Sequence, residues 1–308
     1  MNREIIIGTR GSKLALKQTD IVKKLLLEKH PKLDIKQKII KTKGDIILDV
    51  ALSKVGDKGL FVRELETALL KKEIDIAVHS FKDLQTENPK DLIIAAVPER
   101  ENPFDVFISK NDLKLNDLPE GAVIATSSTR RRAQLLSYRP DLKITDIRGN
   151  IETRIKKFLD SEMHGLILAA AGLIRLGLQK HIREVIDHNI MLPAPAQGAI
   201  AIQIRRDSDI KSLVQEINHL DSFHAVMMER AFLQTFDGGC QSPISAYCER
   251  ISGQIFLKGK ISNLDGSKVL TATIPVKATD DWNIGTVLAQ KIMHMGAEKI
   301  LEENHESE

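Results

Sequence analysis

The 308-residue sequence predicts two α/β lobes followed by a small α+β domain. Over the first two-thirds of the chain, short apolar strands alternate with amphipathic helices, which is typical of sheets covered by helices. After about residue 219, three strand-like runs follow one another, with a helix before and after them. A chain of this length exceeds what one hydrophobic core usually serves, so we expect more than one domain.

The first lobe begins with the apolar strand Ile5–Ile7, which ends in a glycine turn before Ser12. A serine there can cap the next helix, because its hydroxyl accepts a hydrogen bond from a backbone N–H of the first turn. The segment 41–59 is rich in glycine and lysine with little periodicity, and we expect it to be a mobile loop. The other elements of this lobe are predicted strands at 35–40 and 74–78 and a helix at 60–70.

The strand–helix pattern restarts after Pro98 and Pro103 and predicts the second lobe. Its strands are expected at 123–125, 144–147 and 166–169. Alternation of this kind indicates mostly parallel sheets. A further strand, Ile200–Ile204, is assigned to the first lobe. We therefore place the first lobe at residues 1–98 and 197–216, the second at 103–192, and the α+β domain at 219–308.

Charge and composition argue against several functional classes. The formal net charge is +3, from 45 basic and 42 acidic residues, which gives no overall field for a polyanion. Aromatic residues make up 4% of the chain, few for a surface that stacks nucleobases, so we expect no nucleic-acid partner. We expect no membrane span and no secretory signal, since no suitable apolar run is present. Two cysteines form no disulfide framework, which favours a cytoplasmic location.

Polar and basic residues follow the predicted strands directly. The carboxyl ends of strands are where α/β sheets bind their ligands. Helix N-termini and arginine guanidinium groups at such ends bind carboxylates or phosphates. Together these residues predict a site for a ligand with several carboxylates. They are Arg10, Ser12, Ser80, Lys82, Asp83, Thr126, Ser128, Arg130, Arg131, Arg148, Arg154 and Arg175.

Each of these residues, taken alone, also has an ordinary structural explanation. A single arginine is most often a solvated surface charge, and this is our interpretation of Arg132. Asp83 beside Lys82 is by itself typical of an exposed pair or a helix cap. Cys240 is either a small buried apolar residue or, after two glycines that permit an exposed turn, a reactive thiol. Cys248 lies in an alternating strand and fits a core position.

Other chemistries have less support in the sequence. The chain has no Cys-x-x-Cys or His-Glu-x-x-His motif and no compact carboxylate cluster, so we expect no metal site. A nucleotide-binding loop is also missing. A Cys–His hydrolase pairing stays open, but it would leave the arginines unexplained.

Nine short blocks along nearly the whole chain resemble the porphobilinogen deaminase family. No single block is specific, whereas the order and spacing of all nine are. The resemblance implies two periplasmic-binding-protein-like α/β lobes and the activity of a hydroxymethylbilane synthase, a transferase of tetrapyrrole and haem biosynthesis. The blocks are Thr9–Ser12, Lys43–Asp45, Lys58–Phe61, Ala77–Asp83, Thr126–Ser128, Arg148–Asn150 with Thr153 and Arg154, Ala170–Leu173, Gln197–Ala199 and Gly238–Gln241.

By this resemblance, Cys240 holds a dipyrromethane cofactor through a thioether. Four porphobilinogen molecules are joined stepwise, each with loss of ammonia, and water releases hydroxymethylbilane. Asp83 is the implied catalytic residue, which stabilises the positive charge that loss of ammonia leaves. The implied cofactor contacts are Cys240, Ser80, Lys82, Asp83, Thr126, Ser128, Arg130 and Arg131. The implied substrate contacts are Arg10, Ser12, Arg148, Arg154 and Arg175.

The resemblance also implies a monomer, with the segment 41–59 as a mobile cover of the site. Two rival hypotheses come from other classes. A non-catalytic two-lobed protein that binds an anionic ligand explains the arginines but leaves Cys240 and Asp83 without a task. A nucleic-acid-binding regulator would place Arg130–Arg132 on phosphates and would show strongly salt-dependent DNA affinity.

Overall fold

The computed structural model describes residues 4–46, 59, 62–236, 243–279 and 281–306. The chain divides into two compact units. The first comprises Met1–Glu101 and Gly198–Phe223, and the second comprises Asn102–Gln197 and His224–Glu308. Within the described residues, no helix is both long enough and apolar enough to cross a membrane.

The first unit is built on a five-stranded sheet in the order β2-β1-β3-β10-β4. Four of its strands run in one direction, and β10 runs antiparallel to both of its neighbours. The strands are β1 (Glu4–Thr9), β2 (Asp34–Ile39), β3 (Ile76–Ser80), β4 (Leu92–Ala96) and β10 (Ile200–Arg205). The helices are α1 (Lys13–Lys29), α2 (Lys43–Ile46), α3 (Arg63–Leu70) and α7 (Lys211–Gln215).

The core of the first unit follows from the periodicity of its elements. Ile5 and Ile7, two positions apart on β1, are buried, and so are Val22 and Leu26, one turn apart on α1. All six residues of β10 are buried, as expected of an interior strand with neighbours on both sides. These residues of β1 and α1 and the isoleucines of β10 form one apolar cluster, which fixes the strand ends that follow it.

The second unit contains a similar mixed sheet in the order β7-β6-β8-β5-β9. Strands β6, β7 and β8 are parallel, whereas β5 is antiparallel to β8 and β9. The strands are β5 (Asp105–Ser109), β6 (Val123–Ala125), β7 (Lys143–Thr145), β8 (Gly165–Ala169) and β9 (Glu184–Val185). The helices are α4 (Thr129–Tyr138), α5 (Ile151–Leu159) and α6 (Ala170–Arg175).

A three-stranded antiparallel sheet, with helices before and after it in the chain, completes the second unit. Phe232, Leu257 and Leu288 are fully buried in its core. Its β-turn packs against α4: Gly266 has φ +74, and a Cβ atom there would lie 2.0 Å from the carbonyl oxygen of Ala133. The elements are α8 (Leu220–Thr235), β11 (Ile244–Ile251), β12 (Gln254–Ser262), β13 (Val269–Val276), α9 (Ile284–His294) and α10 (Ala297–Glu306).

The predicted fold class, two α/β lobes with an α+β region after them, is confirmed by these three sheets. The expectation of mostly parallel sheets needs correction. One strand in each of the two five-stranded sheets is inverted, because β5 and β10 follow the points where the chain passes from one unit to the other. The sequence reading also missed β4 and β5. It placed the whole segment 41–59 in a loop, whereas Lys43–Ile46 is a helical turn. The boundaries of a separate third domain stay a prediction.

Candidate active site

In the first unit, two predicted groups of polar residues lie at the same edge of the sheet. Strands β1 and β3 are parallel, so their carboxyl ends point the same way. Arg10 and Ser12 follow β1, and Ser80 ends β3 just before Lys82 and Asp83. A pocket of about 70 Å³ opens at this edge. Its lining includes Arg10, Ser12, Gln18, His79, Ser80 and Asp83.

The turn after β3 explains why Lys82 and Asp83 are exposed. Residues 81–83 form a single turn of 3₁₀-helix. Phe81 is fully buried and its backbone N–H donates to the carbonyl oxygen of Ala199 at 3.0 Å, while Leu84 is buried on the other side of the turn. Anchored at both ends, the turn directs the two charged side chains outward.

Arg10 is held by an acidic residue from the start of the predicted loop. Its Nη2 and Nε donate to Asp45 Oδ1 at 2.5 and 3.1 Å. Asp45 also accepts hydrogen bonds from the backbone and the hydroxyl of Thr42. Burial raises the pKa of Asp45, but the bonds from Arg10 and Thr42 outweigh it and hold that pKa below its usual value. The ion pair therefore fixes the direction of the guanidinium group.

The two serines of this edge are also oriented by local bonds. Ser12 caps α1, since its Oγ accepts from the backbone N–H of Ala15 at 3.3 Å. Ser80 exchanges two hydrogen bonds with the side chain of Gln18, at 2.9 and 3.1 Å. Gln18 is 2% exposed, so this pairing satisfies a buried amide.

The second unit repeats this arrangement at the carboxyl ends of β6, β7 and β8, which are parallel. Thr126 and Ser128 follow β6, and Ser128 caps α4 by accepting from Arg131 N at 3.4 Å. Arg148 follows β7, and Arg175 ends α6, the helix directly after β8. Thr126, Ser128 and Arg148 thus follow the carboxyl ends of neighbouring parallel strands, and Arg175 lies one short helix beyond the end of β8.

The turn that carries Arg148 depends on a glycine. Gly149 has φ +116, a conformation that disfavours other residues, and a Cβ atom there would approach Thr153 to 2.7 Å. Asn150 then caps α5 by accepting from Thr153 N at 2.8 Å. Arg154 folds back so that its Nε donates to the carbonyl oxygen of Gly149 at 2.7 Å.

Arg130 and Arg131 form a buried ion-pair network on a single carboxylate. Arg130 Nη2 donates to Asp105 Oδ2 at 2.7 Å, and Arg131 donates to Asp105 Oδ1 through Nε at 3.0 Å and Nη2 at 2.8 Å. Gln197 adds an amide N–H to the same Oδ1 at 3.0 Å. Burial lowers the pKa of Arg130, and the attraction of Asp105 opposes that effect. Asp105 itself is fully buried.

Comparison with known proteins identifies the family. The family model "Porphobilinogen deaminase, dipyromethane cofactor binding domain" matches residues 5–212, and "Porphobilinogen deaminase, C-terminal domain" matches residues 223–294. The chain belongs to the porphobilinogen deaminase family.

Curated relatives support the assignment to the porphobilinogen deaminase family over nearly the full length. The porphobilinogen deaminase of Desulforamulus reducens is 46% identical over 98% of this chain and 98% of its own. That of Carboxydothermus hydrogenoformans is 47% identical over the same shares, and that of Syntrophomonas wolfei is 48% identical over 97% and 98%. A crystal structure of the methionine binding protein MetQ also matches, at 15% identity and a TM-score of 0.43, over 77% of this chain and 96% of that chain.

Some parts of the predicted porphobilinogen deaminase site lie outside the described residues. These are Cys240 with its glycine turn, and most of the segment 41–59 that was expected to cover the site. On either side of residues 237–242, Glu229 links neighbouring elements: its carboxylate accepts from Ala196 N at 2.7 Å and from Cys248 N at 2.9 Å. Cys248 is buried, in agreement with its predicted core position.

Several residues that shape the site were not predicted. Gln18, His79 and Asp105 are buried polar residues whose partners are distant in the chain. Asp45 stood in a family block without a role. For His79 and Asp105 the available signal was a polar residue in an otherwise apolar strand, which is a reason to look for a buried partner. Among the described residues, no group of three or more His, Cys, Asp or Glu is arranged to hold a metal ion.

Proposed function

We propose that this chain joins four porphobilinogen molecules, each with loss of ammonia, onto a dipyrromethane cofactor and releases hydroxymethylbilane by reaction with water. Membership of the porphobilinogen deaminase family supports this reaction and this cofactor. The observation that carries the residue-level proposal is the placement of donors for carboxylates at the carboxyl-end edge of both sheets.

The donor set fits a ligand made of pyrroles that each carry an acetate and a propionate. Guanidinium, ammonium and hydroxyl groups donate strong hydrogen bonds to carboxylates. When bound, the dipyrromethane supplies the primer to which the first substrate is joined. We assign its carboxylates to Ser80, Lys82, Thr126, Ser128, Arg130 and Arg131, and the substrate carboxylates to Arg10, Ser12, Arg148, Arg154 and Arg175.

Arg130 and Arg131 act in this proposal as donors oriented in advance. A guanidinium has five N–H groups. Arg131 directs Nε, Nη2 and Nη1 to Asp105 and to the carbonyl oxygen of Ile167, and Arg130 directs its two terminal nitrogens to Asp105 and Leu192. The remaining N–H groups are the ones that a carboxylate would contact. Asp105 therefore orients both groups and offsets one of their two positive charges.

Asp83 is the proposed catalytic residue. It is exposed on a turn held by Phe81 and Leu84, and it lines the pocket with Arg10 and Ser80. Loss of ammonia from an aminomethylpyrrole leaves positive charge on the substrate, and a fixed carboxylate stabilises that charge. Its oxygens also accept hydrogen bonds from pyrrole N–H groups. Cys240 is the proposed attachment point, and the monomeric state and cytoplasmic location belong to the same proposal.

Intact-mass measurement tests the cofactor and its anchor together. The purified wild-type protein is expected to carry the added mass of two linked pyrroles. Cys240→Ser is expected to lack it, and Cys248→Ser, which changes the other cysteine, is expected to keep it. If the wild-type protein stays unmodified even after incubation with porphobilinogen or preformed hydroxymethylbilane, the proposal is wrong and an anion-binding protein becomes the better explanation. If only Cys248→Ser lost the added mass, the cofactor would be attached to Cys248 and not to Cys240.

A further inference from the structure

His79 is a buried imidazole in the wall of the pocket that Asp83 lines. It lies on β3, directly before Ser80, and is 5% exposed. Arg10 and Asp83 are the charged residues that share this pocket with it. The proposed mechanism gives His79 no task, although it is one of the residues that line this pocket, as Ser80 is.

The tautomer of His79 is set by a chain of hydrogen bonds that runs away from the pocket. His79 Nε2 lies 3.1 Å from Gln203 Oε1. The amide nitrogen of Gln203 donates to Glu66 Oε1 at 3.0 Å and to Asn88 Oδ1 at 3.4 Å. Because a carboxylate accepts hydrogen bonds, the amide nitrogen of Gln203 faces Glu66 and its oxygen faces His79. His79 Nε2 must then carry the proton, and Nδ1 is an acceptor.

The charge state of His79 is set by its surroundings. Burial lowers the pKa of this imidazole to about 4; the hydrogen bond with Gln203 opposes that effect, and the positive charge of Arg10 adds to it. The other charged groups near this chain of bonds are Asp83 in the pocket, Glu66 beyond Gln203, and Arg63, which acts on Glu66. At neutral pH the imidazole is uncharged and its bonded nitrogen is a donor.

We propose that His79 is a further substrate-binding residue, whose Nδ1 accepts a hydrogen bond from an N–H group of the aminomethylpyrrole substrate, and that Gln203 and Glu66 are the positioning residues that fix its tautomer. This inference rests on the proposed function. A neutral acceptor binds an N–H donor without adding charge to a pocket that already contains Arg10 and Asp83. In a protonated imidazole both ring nitrogens are donors, so neither could accept a hydrogen bond from the substrate, and its positive charge would repel the substrate's ammonium group.

Moving the carboxylate one position along this chain of bonds tests the proposal. In the double variant Glu66→Gln/Gln203→Glu the number of charges is unchanged, but a carboxylate now accepts directly from His79 Nε2. An adjacent negative charge favours the imidazolium, so the pKa of His79 should rise toward neutrality. We expect KM for porphobilinogen to rise about tenfold or more from about pH 8 to about pH 6 relative to the wild type, with a smaller change in kcat.

Two further variants show which group titrates. The triple variant, which adds His79→Gln to the double variant, removes the imidazole and is expected to lose the added pH dependence of KM. His30→Gln changes a half-exposed histidine paired with Glu216 elsewhere in the same unit and should follow the wild-type profile. The proposal is overturned if the double variant shows the wild-type pH dependence, or if the triple variant retains the added dependence.

A spectroscopic measurement does not require turnover. Nitrogen-15 NMR of the histidine rings, assigned by comparison with His79→Gln, should show a single Nε2–H tautomer for His79 with no titration between about pH 6 and about pH 8. An Nδ1–H tautomer or a titration in this range would contradict the inference. Failure of the proposed function is recognised separately, since the wild-type protein would then carry no pyrrole mass and form no hydroxymethylbilane.

Discussion

The exposure of Asp83 depends on the residues beside it in the chain. Phe81 and Leu84 are buried and fix the turn, so the backbone that carries this carboxylate is held beside the pocket. Pre-orientation of this kind is what makes a fixed charge effective against a charge that develops during reaction. The buried residues that hold the turn and the exposed catalytic carboxylate are therefore neighbours in the sequence.

Replacing this carboxylate should affect chemistry and leave folding intact. We expect Asp83→Asn to keep the wild-type melting temperature, because the side chain is exposed, and to reduce turnover by about a hundredfold or more. Glu87→Gln, a change at an exposed carboxylate four residues away, is the matched control and should retain wild-type turnover. Near-normal turnover in Asp83→Asn would remove Asp83 from its assigned role.

Asp105 should behave in the opposite manner, as a residue required for stability. Its fully buried carboxylate pairs with the guanidinium groups of Arg130 and Arg131, two residues that are each 6% exposed. We expect Asp105→Asn to lower the free energy of unfolding by about 3–5 kcal/mol, because it leaves buried charges without compensation. Denaturant unfolding measures this loss. The control is Asp112→Asn, because the Asp112 side chain pairs with Arg183 but is 82% exposed, and exposed ion pairs contribute little to stability. Equal stability of the two variants would contradict the buried network.

At the scale of elements, strand β8 shows how close packing selects a residue. Gly165 pairs with Ser109 on β5 and Ile124 on β6. A Cβ atom on Gly165 would lie 2.1 Å from the ring of Phe107 and 2.9 Å from Ile124. Phe107 is fully buried and has no room to move without disturbing the core. The glycine is thus required by space.

Gly165→Ala should therefore destabilise the second unit. We expect a loss of about 1–3 kcal/mol in the free energy of unfolding, the usual effect of overpacking a core. The double variant Gly165→Ala/Phe107→Leu provides space for the new methyl group and should recover part of the loss relative to Phe107→Leu alone. Additive losses in a double-mutant cycle would show that the clash with Phe107 is not the cause.

The elements also show which features short-range patterns can predict. The strands expected at 123–125 and 200–204 and the helix cap expected at Ser12 are present, since each depends on residues within one or two turns. Strand direction is different. The apolar run at Ile200–Ile204 indicates burial, but its antiparallel pairing with β3 and β4 is set by the path of the whole chain.

At the scale of the molecule, the buried imidazole of His79 couples folding to pH. The pKa of His79 is about 4 in the folded state and about 6.5 in the unfolded chain. Between these values the unfolded chain binds the proton and the folded protein does not, so stability falls as pH falls. The shift corresponds to about 3 kcal/mol, lost progressively from about pH 6.5 to about pH 4.

Unfolding by denaturant at several pH values measures this dependence. The slope of stability against pH should be smaller in His79→Gln than in the wild type over this range, whereas His30→Gln should leave the slope unchanged. An identical slope in wild type and His79→Gln would show that the pKa of His79 is not lowered by folding, which would contradict this prediction. Asp45, whose pKa is lowered by Arg10 and Thr42, adds a loss in the same direction at lower pH.

The sequence by itself determined the positions of most strands, the helix cap at Ser12, the polar residues at the strand ends and the family to which the chain belongs. These features depend on residue types at close spacing, or on nine blocks whose order is visible in the chain. Only the tertiary structure decided that β5 and β10 are inverted, that Asp105 binds Arg130 and Arg131, and that Gln203 joins His79 to Glu66. Those partners lie from 25 to 137 positions apart. Contacts at such separations form when the sheets close, and no local periodicity records them.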